Sequence, residues 1–188
     1  MRLKRSIYML MAGWMLWFAA GPAMAEPPPA SEYQIKAAFL YNFAKFIEWP
    51  ADAHLADAQS FTIGILGRDP FGPDIAVIEG KPVKDKPLRV VRGLTLEELK
   101  GCQVLFIGAA SAAELERTLN SLKGKPVLTV GEFEGFARRG GMIHLMTVEN
   151  KVRFEINAQV TDRAGLKVSS HLLRLAKIVP TDDASESH

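Results

Sequence analysis

Three short, largely apolar runs in this chain, Phe61–Leu66, Val104–Ile107 and Val127–Val130, each end at a glycine: Gly67, Gly108 and Gly131. Apolar runs of this length, with a turn and a helical pattern after them, read as buried strands of a parallel sheet. The intervening segments fit. Asp69-Pro70-Phe71-Gly72 is a turn that starts a helix through Ile75, Val77 and Ile78, and Leu88–Val91 is a further strand. Thr95 caps a short helix over Leu96–Lys100, and Ser111 with Glu114 opens a helix bearing Leu115, Leu119 and Leu122 that Gly124 closes. This alternation predicts an α/β fold of three layers, a mostly parallel sheet with helices on both faces.

After Gly140-Gly141 the pattern changes. Met142–Val148 and Lys151–Ile156 are extended runs joined by Glu149-Asn150, which predicts a C-terminal antiparallel hairpin on the edge of the sheet. In the second run Val152, Phe154 and Ile156 alternate with Lys151, Arg153 and Glu155, so one face is expected buried and the other wet. Short helical segments at Ala158–Arg163 and Ser169–Lys177 complete the body, and the polar stretch from Thr181 to His188 reads as a loose tail.

Upstream, Ser31 and Gln34 form a capping box ahead of Ile35, Phe39, Phe43, Phe46 and Ile47, and Pro50 stops the run. A second row, Tyr33, Ala37, Leu40, Ala44 and Ile47, widens the apolar sector beyond one core-facing stripe and leaves Lys36, Asn42, Lys45 and Glu48 as its polar remainder. Two readings stay open: a helix sandwiched in the core, or one whose surface awaits another protein.

The amino end carries an address. A basic start (Arg2, Lys4, Arg5), an apolar run from Ile7 to Ala20 and Ala23-Met24-Ala25 read as a secretory leader over residues 1–25, cleaved before Glu26. Pro27-Pro28-Pro29 makes residues 26–30 a tether, residues 31–180 are expected as one α/β domain, and 181–188 as the tail. All 21 acidic residues lie from Glu26 onward while three of the 23 basic ones lie in the leader, so the remainder holds 20 bases against 21 acids. A basic footprint for nucleic acid is therefore absent. The destination expected is the periplasm. Cys102 is the single cysteine, so no intramolecular disulfide can form, and its position at the head of Val104-Leu105-Phe106-Ile107 suggests a small buried hydrophobe.

No catalytic set has a useful spacing in this sequence. His54, His144, His171 and His188 are scattered, and there is no zinc-protease motif, nucleophile elbow, phosphate loop or dinucleotide fingerprint, so neither an enzyme nor a cofactor is expected. Parallel sheets bind ligands outside the carboxyl ends of their strands. That rim would hold Arg68, Asp69, Phe71 and Ser111, with Arg68 and the amides near Ser111 able to hold an anion. The alternative at each is structural: a solvated arginine and a helix cap.

The stretch Tyr33-Gln34-Ile35-Lys36-Ala37-Ala38-Phe39-Leu40-Tyr41-Asn42-Phe43-Ala44-Lys45-Phe46-Ile47-Glu48-Trp49-Pro50 resembles the opening helix of YfiR-like proteins. Gly67-Arg68-Asp69-Pro70-Phe71-Gly72, Gly140-Gly141-Met142-Ile143, and Val152-Arg153-Phe154-Glu155-Ile156-Asn157 leading into Ala164–Ser170 resemble later stretches of the same family, in order. The resemblance implies a periplasmic, non-enzymatic regulator that holds an inner-membrane diguanylate cyclase, or another membrane sensor, inactive. It also implies an outer-membrane lipoprotein that sequesters the regulator, and a homodimer. Better-known members use disulfides, which Cys102 alone does not supply within one chain. Tyr41, Phe43, Phe46 and Trp49 of the opening helix, and Phe154, Glu155, Lys167, Val168 and His171 near the carboxyl end, are the expected partner or dimer contacts. For Phe154 core packing is the competing reading, and for Glu155 and His171 a solvated face. A small-ligand sensor using the strand-end rim is the alternative function.

Overall fold

The computed structural model describes residues 29–51 and 59–182. The expected leader, most of the tether, His54 and the tail from 183 onward lie outside these residues. In chain order the elements are α1 (Glu32–Phe46), β1 (Ile47–Glu48), β2 (Phe61–Gly67), a 3-10 helix (Gly72–Ile78), β3 (Pro82–Val83), β4 (Lys86–Gly93), β5 (Val104–Gly108), α2 (Ala112–Leu122) and β6 (Leu128–Gly131). Then follow β7 (Ile143–Val148), β8 (Lys151–Ile156), α3 (Ala158–Arg163), β9 (Lys167–Val168), α4 (Ser170–Leu175) and β10 (Lys177–Ile178).

Eight strands form one sheet in the order β10-β8-β7-β6-β5-β2-β4-β3. β4, β2, β5, β6 and β7 run parallel, as the glycine-terminated runs predict. Alternation of side chains divides the core between the two faces. Phe61, Ile63 and Ile65 of β2 and Val104 and Phe106 of β5 pack with α1, the 3-10 helix and α4; Leu66, Leu105 and Ile107 pack under α2 with Leu115, Leu119 and Leu122. Helices thus cover both faces, in three layers. Cys102 lies in the second cluster, 7% exposed, and burial pushes its thiol up to about 11.

Glycine is required where the strands turn over. A Cβ on Gly108 would lie 2.0 Å from the Arg68 carbonyl oxygen, and one on Gly131 would lie 2.4 Å from the Phe136 ring. Any larger residue would have to push the backbone or a buried ring aside.

Three expectations are corrected. The β7–β8 hairpin turns through Glu149 and Asn150, both at positive φ as a two-residue turn of this twist needs, but it is not the sheet edge: β10 pairs parallel outside β8. Two residues are too few to carry a strand signal. Leu96–Lys100 forms successive turns rather than a helix, although Thr95 Oγ1 does accept from the Glu98 amide at 3.3 Å. The backbone bonds there reach back only three residues, Lys100 to the Glu97 carbonyl and Cys102 to the Leu99 carbonyl, so the segment turns without building an α-helical ladder. The expected wet face of β8 holds for Lys151 and Arg153, which are exposed, but not for Glu155, which is buried against β10 and His144.

Candidate docking face

α1 is fixed at its amino end by the capping box: Ser31 Oγ accepts from the Gln34 amide at 3.1 Å, and Gln34 Oε1 accepts from the Ser31 amide at 3.2 Å. Ser31 Oγ and Gln34 Nε2 also donate to Asp74 of the 3-10 helix, at 2.6 and 3.2 Å. One turn on, Lys36 is only 4% exposed, contrary to its expected place on a polar face. Its ammonium meets Glu32 Oε1 at 2.5 Å and pairs with Glu132, which follows β6. Burial alone would lower the Lys36 pKa, but the two carboxylates outweigh it and raise it. Thr147 Oγ1 of β7 donates to Glu32 Oε1 at 2.7 Å. These bonds fix the rotation of α1 about its axis.

With that rotation set, Ala37, Leu40, Phe43 and Ala44 point into the core, and Ile35, Ala38, Asn42 and Phe46 are left outside. Phe39 is half-buried between them, its ring 5.5 Å from Phe154. At the carboxyl end the chain passes directly into β1, which pairs antiparallel with β9: Ile47 opposite Val168 and Glu48 opposite Lys167. The Ser169 amide donates to the Phe46 carbonyl at 3.0 Å and Ser169 Oγ caps α4. α4 is therefore laid beside α1, with the Phe46 and His171 rings 5.5 Å apart. His171 and Leu175, four residues apart, share the outer side of α4. Ile178 follows on β10, opposite Ile156, on the side of the sheet that Phe154 occupies.

Of the seven large hydrophobic residues exposed among those described, four belong to this assembly: Ile35 (40%), Phe46 (37%), Leu175 (61%) and Ile178 (51%). Isolated exposed apolar residues are ordinary, but a group on adjoining elements marks a contact surface. Its underside is polar and locked. Glu155 accepts from Lys177 Nζ at 3.0 Å and lies 3.3 Å from His144 Nδ1. Burial pushes the Glu155 pKa up, yet Lys177 and His144 hold it below the usual carboxylate value.

The structure thus brings together Phe46, Lys167, Val168 and His171, with half-buried Trp49 nearby on the Phe61 ring at 5.3 Å. Tyr41 stands apart, donating its hydroxyl to the Pro82 carbonyl at 3.0 Å. Phe43 and Phe154, expected among the contacts, are core residues instead, 0% and 4% exposed and 5.2 Å apart in an edge-to-face pair, because both point between α1 and the sheet. Glu155 is likewise held within the chain. Sequence reasoning missed Leu175 and Ile178; the spacing of Leu175 from His171 carried the signal, whereas Ile178 had none.

At the strand-end rim, Asp69 accepts from the Phe71 amide at 2.8 Å and pairs with Arg92 Nε at 2.7 Å. Phe71 is 2% exposed and edge-on to Phe106, so it is unavailable to a ligand. Ser111 Oγ caps α2, and Glu114 Oε2 takes the Ala110 amide at 2.9 Å. Arg68 remains on the rim, beside a cavity of about 300 Å³ that Phe106, Glu132 and Phe133 also line. Among the described residues no cluster of three or more histidine, cysteine or acidic side chains suits a metal, and no helix is long and apolar enough to cross a membrane.

Fold and surface define a three-layer α/β protein with an apolar face at one end of its sheet. The family model described as YfiR/HmsC-like matches residues 33–177, and the chain belongs to that family. The family comprises periplasmic regulators in cyclic di-GMP signalling, not enzymes, that work with membrane signalling proteins.

Proposed function

We propose that this protein is exported by cleavage of a leader over residues 1–25 and represses an inner-membrane diguanylate cyclase, lowering cyclic di-GMP. It acts by attachment through the face of Ile35, Phe46, His171, Leu175 and Ile178. The observation that carries this reading is the gathering of exposed apolar side chains on α1, α4 and β10 of a YfiR/HmsC-like chain. Attachment alone suffices for repression, because a protein that binds one state of a two-state receptor more tightly shifts the receptor toward it. A few apolar anchors supply most of the energy of such contacts. Trp49, Lys167 and Val168 border the face as its rim, and Tyr41 belongs to a separate side. Deleting the gene is expected to raise cellular cyclic di-GMP measured by mass spectrometry. An unchanged level, with every cyclase present, contradicts the assignment.

A second reading is favoured by the cavity beside Arg68 and Phe133: a small anionic ligand held at the strand ends. Thermal shift against organic acids and nucleotides tests it, since a ligand of the folded form raises the melting midpoint.

A further inference from the structure

The docking face has a charge pattern of its own. Arg174 stands between His171 and Leu175 on α4, Lys167 lies on β9, and Lys45, whose ammonium rests over the Tyr41 ring at 5.4 Å, borders the far side of the α1 stripe; all three are exposed. Among the described residues none of the three is in an ion pair. Lys177 on β10 turns with Glu155 to the underside, opposite Ile178, and does not join this rim. The acids on the same elements are fewer. Glu32 is committed to Lys36 and Thr147, and Glu48 sits across the β1–β9 ladder from Lys167. The apolar centre therefore carries a basic rim, although the chain from Glu26 onward has one more acid than base.

Resting on the docking reading above, we infer that the occupant of this face is a protein segment with an apolar stripe flanked by aspartates or glutamates. A second copy of this chain, meeting face to face, would set the rims of Lys45, Lys167 and Arg174 against each other. Like charges facing across an interface oppose association. An acidic partner segment gains from the same rim. Because these charges are exposed and salt screens them over about 8 Å at physiological ionic strength, they act mainly on the rate of encounter, and the apolar centre on the lifetime of the complex.

Photocrosslinking in cells tests this with the full-length chain carrying benzoylphenylalanine at Leu175, a side chain outside the core. Adducts are identified by sequencing the crosslinked peptide. The expected product joins Leu175 to an apolar segment flanked by carboxylates, and Lys45→Glu with Arg174→Glu lowers its yield about tenfold. Should that pair fail to fold by circular dichroism, Lys45→Ala with Arg174→Ala removes the charges without reversing them and lowers the yield less steeply. An adduct with a second copy, with lipid alone, or with a segment lacking carboxylates overturns the inference, as does no adduct or a yield indifferent to the charge changes. A carboxylate-flanked segment from a protein other than a cyclase supports the inference and overturns the cyclase assignment. A cyclase segment without carboxylates does the reverse.

Discussion

Lys36 sits with its ammonium between Glu32 and Glu132, so removing the amine leaves carboxylates facing a buried gap. Lys36→Met is expected to cost about 3 kcal/mol in denaturant unfolding, and adding Glu132→Gln to recover much of it, because breaking one half of a buried pair costs more than removing both halves. Its raised pKa means that its contribution is present through neutral pH and lost only as pH rises through the folded value. Glu155 has the opposite sign. Its folded pKa is lowered, so its pairing with Lys177 and His144 stabilises above the ordinary carboxylate range and fades as pH falls through the folded value. Unfolding measured from pH 7 downward should show the difference between wild type and Glu155→Gln shrinking below about pH 4; a constant difference would mean that packing, not charge, holds Glu155. The Cys102 thiol, buried and pushed up to about 11, is expected to react with Ellman's reagent only after unfolding.

At the scale of elements, local grammar located most of the structure and packing decided the rest. The capping box of α1 and the Ser111 cap of α2 were legible because each is a short-range bond between residues three apart. The glycines that end β2, β5 and β6 were legible too, and Gly131 shows why they matter. Gly131→Ala is expected to lower stability by about 1–3 kcal/mol through its clash with Phe136, read as a lower melting midpoint. What could not be read was the use of each helix side. Lys36 looked polar by composition, yet Glu132, 96 positions further on and near in space, draws it inward. Phe43 and Phe46 looked alike, and at three residues apart they are neighbours on the helix, yet one is core and the other surface, because Phe46 lies about 60° further round on the last residue of α1, past the edge of the core-facing sector. β10 escaped notice because its pairing with β8 depends wholly on contacts distant in sequence.

For the whole molecule, the fold serves to bring two remote stretches of chain to one surface. The β1–β9 ladder and the Ser169 bond to Phe46 tie the end of the first helix to the last helix, so residues more than 120 positions apart form a common face. The sequence pointed to both stretches but not to which of their residues stay outside, since that choice is made by the sheet between them. The central claim is that this face carries repression. Its most direct test is cellular cyclic di-GMP in a deletion strain supplied with either the wild-type chain or the Phe46→Asp, Leu175→Asp variant, at equal protein amounts and with equal melting midpoints. Wild type is expected to restore the low level and the variant to leave it high; a variant that restores the low level as fully as wild type would show that repression does not run through this face.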